Sequence, residues 1–409
     1  MFVDFLEIAY IYPVKFYLTV FVILLAFISR AQNKLTGSVV DAETNMPVAG
    51  SSVFITNTSL ASITNKEGYF EIPDIPSGIY KLIVSHVGFE TVTYDFSTEK
   101  MPGRLKVVVK PKVVAMETVV VGGYVTETWE KWGKTFTNYF IGLSANSMKT
   151  VIKNHKTLRF RFYKKLNRLE VVADEPIIIE NRGLGYQLGY QLEHFEINFN
   201  ERTNFFAGHI LFTDMRGNSR QVKKWQDNRR EAYIGSMMHF FRSVYDGNCS
   251  DQGFEMRRVK KIHNTEKERV RALYRQNPDL RFSDSAEYYQ KVLSQKDFTY
   301  EYGATVAVDS FRIIHEGQKF ISWPDYLQVV NKHKIEEQGY LDLHMERRSR
   351  YPARSLIMLQ SEPALVLDAN GNWYPAQGLL SEWYWAWSEK VGDLLPLNYW
   401  PSPAITGTP

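Results

Sequence analysis

Two histidines of the chain stand three residues ahead of a glutamate, in the segments HNTE (263–266) and HKIE (333–336). His263 with Glu266, or His333 with Glu336, has the spacing by which zinc peptidases present two metal ligands, with a distant histidine as the third. Chance matches to so short a pattern are expected in a chain with nine histidines. The first match also lies in the charged run RRVKKIHNTEKERVRALYR, at the predicted start of a helix. We therefore expect neither pair to bind a metal.

Other catalytic signatures are missing from the sequence. Gly-x-Ser-x-Gly does not occur, and the stretch GGYVTETWEKWGK lacks the spacing of a phosphate-binding loop. Glu180 and Glu193 are the acids of the most β-rich segment and are interpreted as solvated strand residues, but carboxylate pairs for glycoside hydrolysis meet only in three dimensions, so that chemistry stays open. Cys249 is the single cysteine and has no activating neighbour in sequence. The sequence predicts no catalytic residue, no metal site and no cofactor.

The composition is that of an ordinary globular protein. Hydrophobic residues make up 44% of the chain and charged residues 23%. Lys and Arg number 49 against 45 Asp and Glu, an excess too small to indicate a nucleic-acid partner. A single cysteine excludes an intrachain disulfide, so stability must come from packing. The length of 409 residues leaves room for roughly two or three domains.

The N-terminal segment has the features of a secretory leader. Residues 14–32 read VKFYLTVFVILLAFISRAQ, with one lysine and an apolar run that ends before the small residues Ser29 and Ala31. This pattern predicts a signal peptide over 1–31, cleaved between Ala31 and Gln32. A retained anchor is the alternative, although the apolar run is shorter than the ~20 residues that span a bilayer.

The residues that precede this leader do not fit it. Asp4 and Glu7 are acidic, whereas the start of a signal peptide is positively charged. One hypothesis is that translation begins near Val14. No cysteine follows the apolar run, so a lipoprotein anchor is not expected.

From Lys34 onward, short β-rich runs alternate with turn-forming residues. Gly68 supplies a positive φ where two strands reverse, and Pro76 and Gly78 form the next corner. Seven such runs at regular spacing predict an all-β sandwich. The runs are LTGSVV, SSVFIT, LASIT, YFEI, YKLIVSHV, ETVTYDF and RLKVVVK.

Residues 33–112 resemble the carboxypeptidase-like regulatory domain, a transthyretin-like seven-stranded sandwich. The resemblance implies a module without catalytic residues, which commonly heads exported proteins of the Bacteroidota envelope. In the zinc peptidases that carry such a sandwich it follows the catalytic domain, whereas here it comes first. The matching positions are Gly37, Val39, Asp41, Pro47, Gly50, Val53, Thr64, Gly68, Phe70, Pro76, Gly78, Tyr80, Leu82 and the VGF at 87–89.

A second resemblance lies at METVVVGGY, residues 116–124. It is similar to the segment that joins this sandwich to the plug of TonB-dependent outer-membrane receptors. The remaining chain is too short for the strands and loops of such a receptor, so we expect no transmembrane barrel. We assign 113–130 as a linker.

Residues 131–405 are predicted to form a larger α+β domain. Alternating polar and apolar residues over 157–213 predict an antiparallel β-meander. One helix is predicted over about 220–245, capped by Asn218 or Ser219 and ended by Gly247, with further helices at 265–276 and 284–294. The sequence Ala-Asn-Gly in ALVLDANGNWYPAQG predicts a hairpin. The region resembles an uncharacterised C-terminal part of exported Bacteroidota proteins, which implies no activity.

The charged helical segment and the aromatic segment each allow two interpretations. The excess of basic residues over 220–275, with Lys223, Lys224 and Arg230 off the apolar stripe, fits either a surface for anionic polymers or a solvated helix face, and we favour the latter.

In SEWYWAWSE (381–389), a strand would place Trp383, Trp385 and Trp387 on one face. They would form either a platform for sugar rings or part of the core, and we favour the core.

Taken as a whole, the sequence indicates an exported protein of the periplasm or outer-membrane-associated envelope. We expect a non-enzymatic binding, adhesion or scaffold module, with an envelope protein or a glycan as partner and no nucleic acid. The alternative is a periplasmic hydrolase that acts on peptide or glycan through the 131–405 region. A deep pocket with converging acids would favour the hydrolase.

The leader yields the first testable prediction. Protein recovered from the periplasmic fraction of the native host should have an intact mass that begins at Gln32, because a leader peptidase cleaves after small residues at this spacing. Full-length protein in the cytosol would refute export.

Overall fold

The computed structural model describes residues 33–112, 123–282, 284–360 and 362–401. The leader with its cleavage site at Ala31 and Gln32, and the first part of the predicted linker, lie outside these residues. Within them, the strands form five sheets that pack into a sandwich and a larger mixed α+β region. No helix of the described residues is long and apolar enough to cross a membrane.

The N-terminal region is all β, as predicted, with its seven strands in two sheets. One sheet has the order β4-β1-β7, with β1 and β7 parallel, and the other has the order β3-β2-β5-β6. Apolar side chains from both sheets fill a shared core. The strands are β1 (Leu35–Asp41), β2 (Ser52–Ile55), β3 (Ala61–Ile63), β4 (Tyr69–Ile72), β5 (Ile79–Ser85), β6 (Val92–Ser97) and β7 (Leu105–Val109).

The next sheet is antiparallel, as expected for 157–213, but it is not a simple meander. Its order is β8-β10-β11-β13-β12-β9, and β14 pairs with the other edge of β13. The cause is the length of β13, whose two ends pair with β11 and β12 along the same edge. The elements are β8 (Val125–Glu127), α1 (Trp129–Phe140), β9 (Thr150–Ile152), β10 (Leu158–Tyr163), β11 (Arg168–Ala173), β12 (Ile177–Asn181), β13 (Tyr186–Asn198) and β14 (Thr203–Asp214).

Helix α1 covers one face of this sheet. The rings of Phe136 and Phe140 stack at 4.9 Å and both meet Phe195 of β13 edge-on. Such aromatic pairs add to the free energy of apolar burial. Because β8 pairs with β10 and α1 begins at Trp129, residues 125–130 belong to this region and not to a free linker.

The single helix predicted over 220–245 is two helices, α2 (Ser219–Tyr233) and α3 (Met237–Asp246). The chain breaks at Gly235, whose φ is +73° and where a Cβ would lie 2.6 Å from the Cβ of Lys334. Ser236 then caps α3 by accepting a hydrogen bond from the backbone N–H of His239. The predicted ends are confirmed, since Asn218 forms a capping box and Gly247 adopts the left-handed conformation.

The rest of the chain forms two further antiparallel sheets, of orders β16-β15-β19-β20-β23 and β17-β18-β21-β22. The two predicted helices near 265–276 and 284–294 are present and join β15 to β16, and the predicted hairpin is β21–β22. The elements are β15 (Phe254–His263), α4 (Thr265–Gln276), α5 (Ala286–Ser294), β16 (Phe298–Val306), β17 (Arg312–His315), β18 (Gln318–Ile321), β19 (Tyr326–Ile335), α6 (Gln338–Leu343), β20 (Pro352–Leu359), β21 (Leu365–Leu367), β22 (Trp373–Tyr374), β23 (Leu379–Trp383) and α7 (Tyr384–Ser388).

The aromatic segment 381–389 is not one strand, which corrects the sequence prediction. Strand β23 ends at Trp383, whose φ is +66°, and the chain turns at once into α7. Trp385 and Trp387 are buried in the main core, as favoured from the sequence, while Trp383 is half-buried and packs edge-on against Tyr300 at 5.2 Å. The three indoles therefore do not form one exposed row.

The burial of Trp385 yields the second prediction. Trp385 is 2% exposed, donates its indole N–H to Gly235 O at 2.8 Å and contacts Phe240. Trp385→Ala should lower the free energy of unfolding by ~3–5 kcal/mol, because it leaves a cavity in the core. Denaturant unfolding measures this loss.

Phe282→Ala is the matched control for this measurement. Phe282 is 89% exposed, so its truncation should change stability by less than about 0.5 kcal/mol. A Trp385→Ala protein as stable as this control would contradict the core position of the indole.

Candidate functional site

The two His-x-x-Glu pairs do not converge on a metal site. His263 is exposed at the end of β15, and Glu266 instead accepts hydrogen bonds from Arg269 and Tyr288. Glu336, directly after β19, is buried and pairs with Arg348 at 2.7 Å, while the His333 ring packs on Gly253. In the described parts of the chain, no three His, Cys, Asp or Glu side chains group so that they could hold a metal ion.

The other residues considered from the sequence lie in structural settings. Cys249 is buried, and burial raises the pKa of its thiol to about 11, so the thiol stays protonated at neutral pH. Glu180 pairs with Arg182 and Lys153, and the hydrogen bond from Arg182 lowers the pKa of its carboxyl. Glu193 lies 2.9 Å from Nε2 of His209.

The sandwich docks on the larger region through the turn between β2 and β3. The backbone N–H of Asn57 donates to Ile210 O of β14 at 2.7 Å, and Phe212 N–H donates back to Thr58 O at 2.9 Å. The C-terminal segment joins the same turn, because Leu397 N–H donates to Asn57 O at 2.7 Å. Three separate parts of the chain are thus connected by backbone hydrogen bonds.

A second contact joins the start of β5 to the β21–β22 hairpin. Tyr374 donates its hydroxyl to Ile79 O at 3.0 Å, and Asp368 accepts from Ile79 N–H at 3.4 Å. Gly78 makes room for this contact, since a Cβ there would lie 1.9 Å from the amide nitrogen of Asn370. Burial raises the pKa of the Asp368 carboxyl, which is held by backbone N–H groups of its own hairpin loop.

The buried side chain of Arg242, in α3, binds both the β21–β22 hairpin loop and the C-terminal segment, which each contact the sandwich. It is 2% exposed and donates to Asn370 O in the hairpin loop, to Leu397 O and to Tyr399 O, all at 2.8–3.0 Å. Its guanidinium also lies 3.9 Å from the ring centre of Trp400. One buried cation therefore fixes the hairpin and the C-terminal segment relative to the helix.

A cleft of about 390 Å³ opens where β14, the hairpin, α3 and the C-terminal segment meet. Its walls are mainly apolar; some of their side chains are buried, such as Ile210 and Met237, and others reach solvent, such as Phe205, which is 40% exposed. Its volume lies in the ~300–1,000 Å³ range of small-molecule sites. The lining includes Asn57, Tyr190, Asn204, Phe205, Phe206, Ile210, Met237, Met238, Asn372, Trp373, Leu379, Ser381, Glu389, Lys390 and Leu394.

The charged groups of the cleft lie in the segment that follows α7. This segment is held against α1, because Val391 N–H donates to Phe140 O and Gly392 N–H to Ile141 O. Lys390 is half-buried, and its ammonium donates to Asn204 Oδ1 at 3.3 Å and faces the ring of Phe206. Burial lowers the pKa of Lys390 to about 8.

Glu389 lies next to this lysine but makes a different contact. Its carboxylate accepts a hydrogen bond from Met237 N–H at the start of α3, at 3.0 Å. Burial raises the pKa of Glu389 to about 7. Glu389 also lines a second cavity of about 20 Å³, together with Glu337 and Asp393, which has room for about one water molecule. Burial raises the pKa of Asp393 to about 6.

Sequence reasoning missed this cleft. Its residues come from the sandwich, β13, β14, α3, the hairpin, β23 and the C-terminal segment, and no motif connects them. The nearest signal is the adjacent pair Phe205-Phe206 in β14, because neighbouring residues of a strand lie on opposite faces and both faces therefore carry an aromatic ring at this point.

The N-terminal region is a CarboxypepD_reg-like domain, because residues 35–121 match that family. This confirms the resemblance found in the sequence. No curated protein matches the chain.

Several solved structures share limited similarity. A mutant cohesin–X-dockerin complex from Acetivibrio cellulolyticus is 21% identical over 19% of this chain and 58% of its own, with a TM-score of 0.18. A DUF3823 family protein from Bacteroides ovatus is 10% identical over 46% of this chain and 82% of its own, at 0.16. A protein of unknown function from Bacteroides fragilis, named for an assumed association with membranes, is 10% identical over 86% of this chain and 96% of its own, at 0.15. Scores this low support no functional argument.

The setting of Glu389 yields the third prediction. Its pKa is about 7 in the folded protein against an ordinary value of 4.5, so the folded state binds the proton more tightly than the unfolded state. Its contribution to stability is fully present below pH 4.5 and is lost as the pH rises through about 7. Between pH 5 and 7.5, Glu389→Gln should therefore gain roughly 2–2.5 kcal/mol of unfolding free energy relative to the wild type.

Denaturant unfolding at the two pH values measures this difference, with Glu231→Gln as control because Glu231 is exposed. The control should show no gain. An equal response from both variants would mean that the Glu389 carboxyl is as well solvated as a surface group.

Proposed function

We propose that the protein is an exported cell-envelope binding module without catalytic activity, and that its ligand occupies the cleft. The observation that carries this proposal is the cleft itself, which has partly exposed apolar walls at the junction of the sandwich and the larger region. A soluble protein seldom leaves such apolar surface in a concave site without a partner. The CarboxypepD_reg-like domain and the leader support export.

The junction gives the cleft a fixed shape. Asn57 of the sandwich, Ile210 of β14 and Leu397 of the C-terminal segment all line it and are joined by backbone hydrogen bonds. A site held by backbone contacts between regular elements needs little ordering when a ligand binds, which favours affinity. The sandwich thus has a role in binding without presenting catalytic groups.

A hydrolase that acts on peptide or glycan is the alternative function, and it needs two acids or an acid and a base that converge on the substrate. Among the described residues that line the cleft, Glu389 carries the one carboxylate, and that carboxylate already accepts a hydrogen bond from Met237 N–H. Glu337 and Asp393 line only the smaller cavity, which Glu389 also lines and which, at about 20 Å³, is too small to admit a peptide or a sugar ring. The geometry therefore favours binding over hydrolysis.

An adhesion or scaffold role, with an envelope protein or a glycan as partner, is the broader form of this proposal. A row of exposed indoles no longer supports a glycan as the partner, because Trp385 and Trp387 are core residues. The apolar lining of the cleft favours an apolar group on whatever partner binds there.

The test uses N-phenyl-1-naphthylamine, an uncharged dye that fluoresces in apolar sites, and the full chain. The wild type should bind the dye saturably at one site. Ser381→Trp should abolish this binding, because Ser381 lines the cleft and a large side chain there fills it. Fluorescence titration measures both.

Ser294→Trp is the matched control, since Ser294 is exposed at the end of α5, outside the cleft lining. It should bind the dye like the wild type. Absence of saturable binding by the wild type, or undiminished binding by a folded Ser381→Trp protein, would refute the cleft as the binding site.

A further inference from the structure

The cleft contains one feature that an apolar ligand alone does not explain, the ammonium of Lys390. A half-buried charge is costly unless it has partners, and an ammonium has three hydrogens to donate. Lys390 Nζ donates one hydrogen bond to Asn204 Oδ1 at 3.3 Å, and among the described residues it forms no salt bridge with a carboxylate. The amide oxygen is a neutral partner, so a bound anion would be the stronger acceptor.

The neighbouring acid does not fill this role. Glu389 lies next to Lys390 in sequence and attracts it through space, but it forms no hydrogen bond with the ammonium, because its carboxylate accepts the Met237 N–H at the start of α3. That helix end carries a partial positive charge, which favours the carboxylate in its present position. Lys390 therefore keeps donor capacity directed into the cleft, where Asn204 and Phe206 also lie.

The rest of the lining defines the other half of the ligand. Phe206, Met238, Trp373, Leu379 and Leu394 are all partly buried and line one continuous space. They offer contact to a hydrocarbon or aromatic body, each buried CH₂ of which contributes roughly 0.8 kcal/mol to transfer from water. A ligand that uses both halves must be apolar along its length and negatively charged at one end.

We infer that the cleft binds an amphipathic monocarboxylate, with its carboxylate on Lys390 and its apolar body along Phe206, Trp373 and Leu379. This inference rests on the proposed function, because it names the ligand class of the same site. Long-chain fatty acids and apolar acids with one free carboxylate share this chemistry. A lysine that merely covers the apolar wall with its methylene stem is the competing explanation.

The test compares three probes that share one hydrocarbon chain, namely dodecanoate, dodecan-1-ol and dodecyltrimethylammonium, each below its micelle concentration. Calorimetry on the full chain at pH 7 should show dodecanoate binding about tenfold or more tightly than the alcohol, and the cation most weakly. The tenfold figure corresponds to one charge-assisted hydrogen bond. This comparison on the wild type needs no variant that must fold.

Substitutions of Lys390 test whether its ammonium causes the preference for dodecanoate. Lys390→Met keeps a stem of similar length and should weaken dodecanoate binding about tenfold or more, while changing the affinity for dodecan-1-ol and for the uncharged dye much less. Lys390→Arg should retain the preference for the acid. Lys223→Met, which removes an exposed lysine of α2, should bind all probes like the wild type.

The outcomes separate the two proposals. Equal affinity for the three amphiphiles, or an undiminished preference for dodecanoate in Lys390→Met, would overturn the inference, and retained dye binding would then leave the proposed function standing. Loss of all probe and dye binding by the wild type would overturn both.

Discussion

The arrangement of the whole junction depends on one buried cation. Arg242 has no carboxylate partner among the described residues. Its guanidinium instead donates hydrogen bonds to three backbone carbonyls, which lie 128 to 157 residues away in sequence. A guanidinium presents its donors in a rigid planar fork, so the carbonyls must come to fixed positions around it. The hairpin loop and the C-terminal segment are therefore positioned by the same side chain, and the sandwich docks on both.

The polarity of the cleft follows from a second constraint, the anchoring of the chain after α7. Val391 and Gly392 are held by backbone hydrogen bonds to the end of α1, and Asn181 adds its side-chain N–H to Gly392 O. Charged residues that flank these anchors cannot move out into solvent freely. Glu389, Lys390 and Asp393 consequently sit half-buried, with each charged form disfavoured by loss of water. The attraction between Glu389 and Lys390, and the hydrogen bond from Met237 N–H at the start of α3, offset only part of this desolvation cost.

Local signals in the sequence predicted local structure well. The seven strands of the sandwich, the helices α4 and α5 and the β21–β22 hairpin are each specified by periodicity and turn residues within a few positions. Two errors arose where tertiary contacts override local pattern. The apolar stripe continues across Gly235, but close packing against Lys334 breaks the helix there. The alternation of SEWYWAWSE suits a strand, but Trp383 turns the chain so that Trp385 enters the core.

The cleft could not be predicted for a different reason. Lys390 in SEKVGD looks like an ordinary surface lysine, because nothing in the neighbouring sequence reveals that Asn204 and Phe206 will lie beside it. Recognising the family of residues 35–121 gave the architecture of one region and no information about the junction. Sites built from many distant segments need the three-dimensional arrangement before their chemistry can be judged.

The hydrogen bonds between the β2–β3 turn and β14 also bear on how the protein avoids aggregation. Strand β14 is the last strand on its side of the sheet, and an uncovered edge offers unpaired N–H and C=O groups to any other chain. Asn57 and Thr58 occupy the part of that edge at Ile210 and Phe212, while Phe205 to Gly208 face the cleft instead. The sandwich thus covers part of an edge that would otherwise be available for strand pairing between molecules.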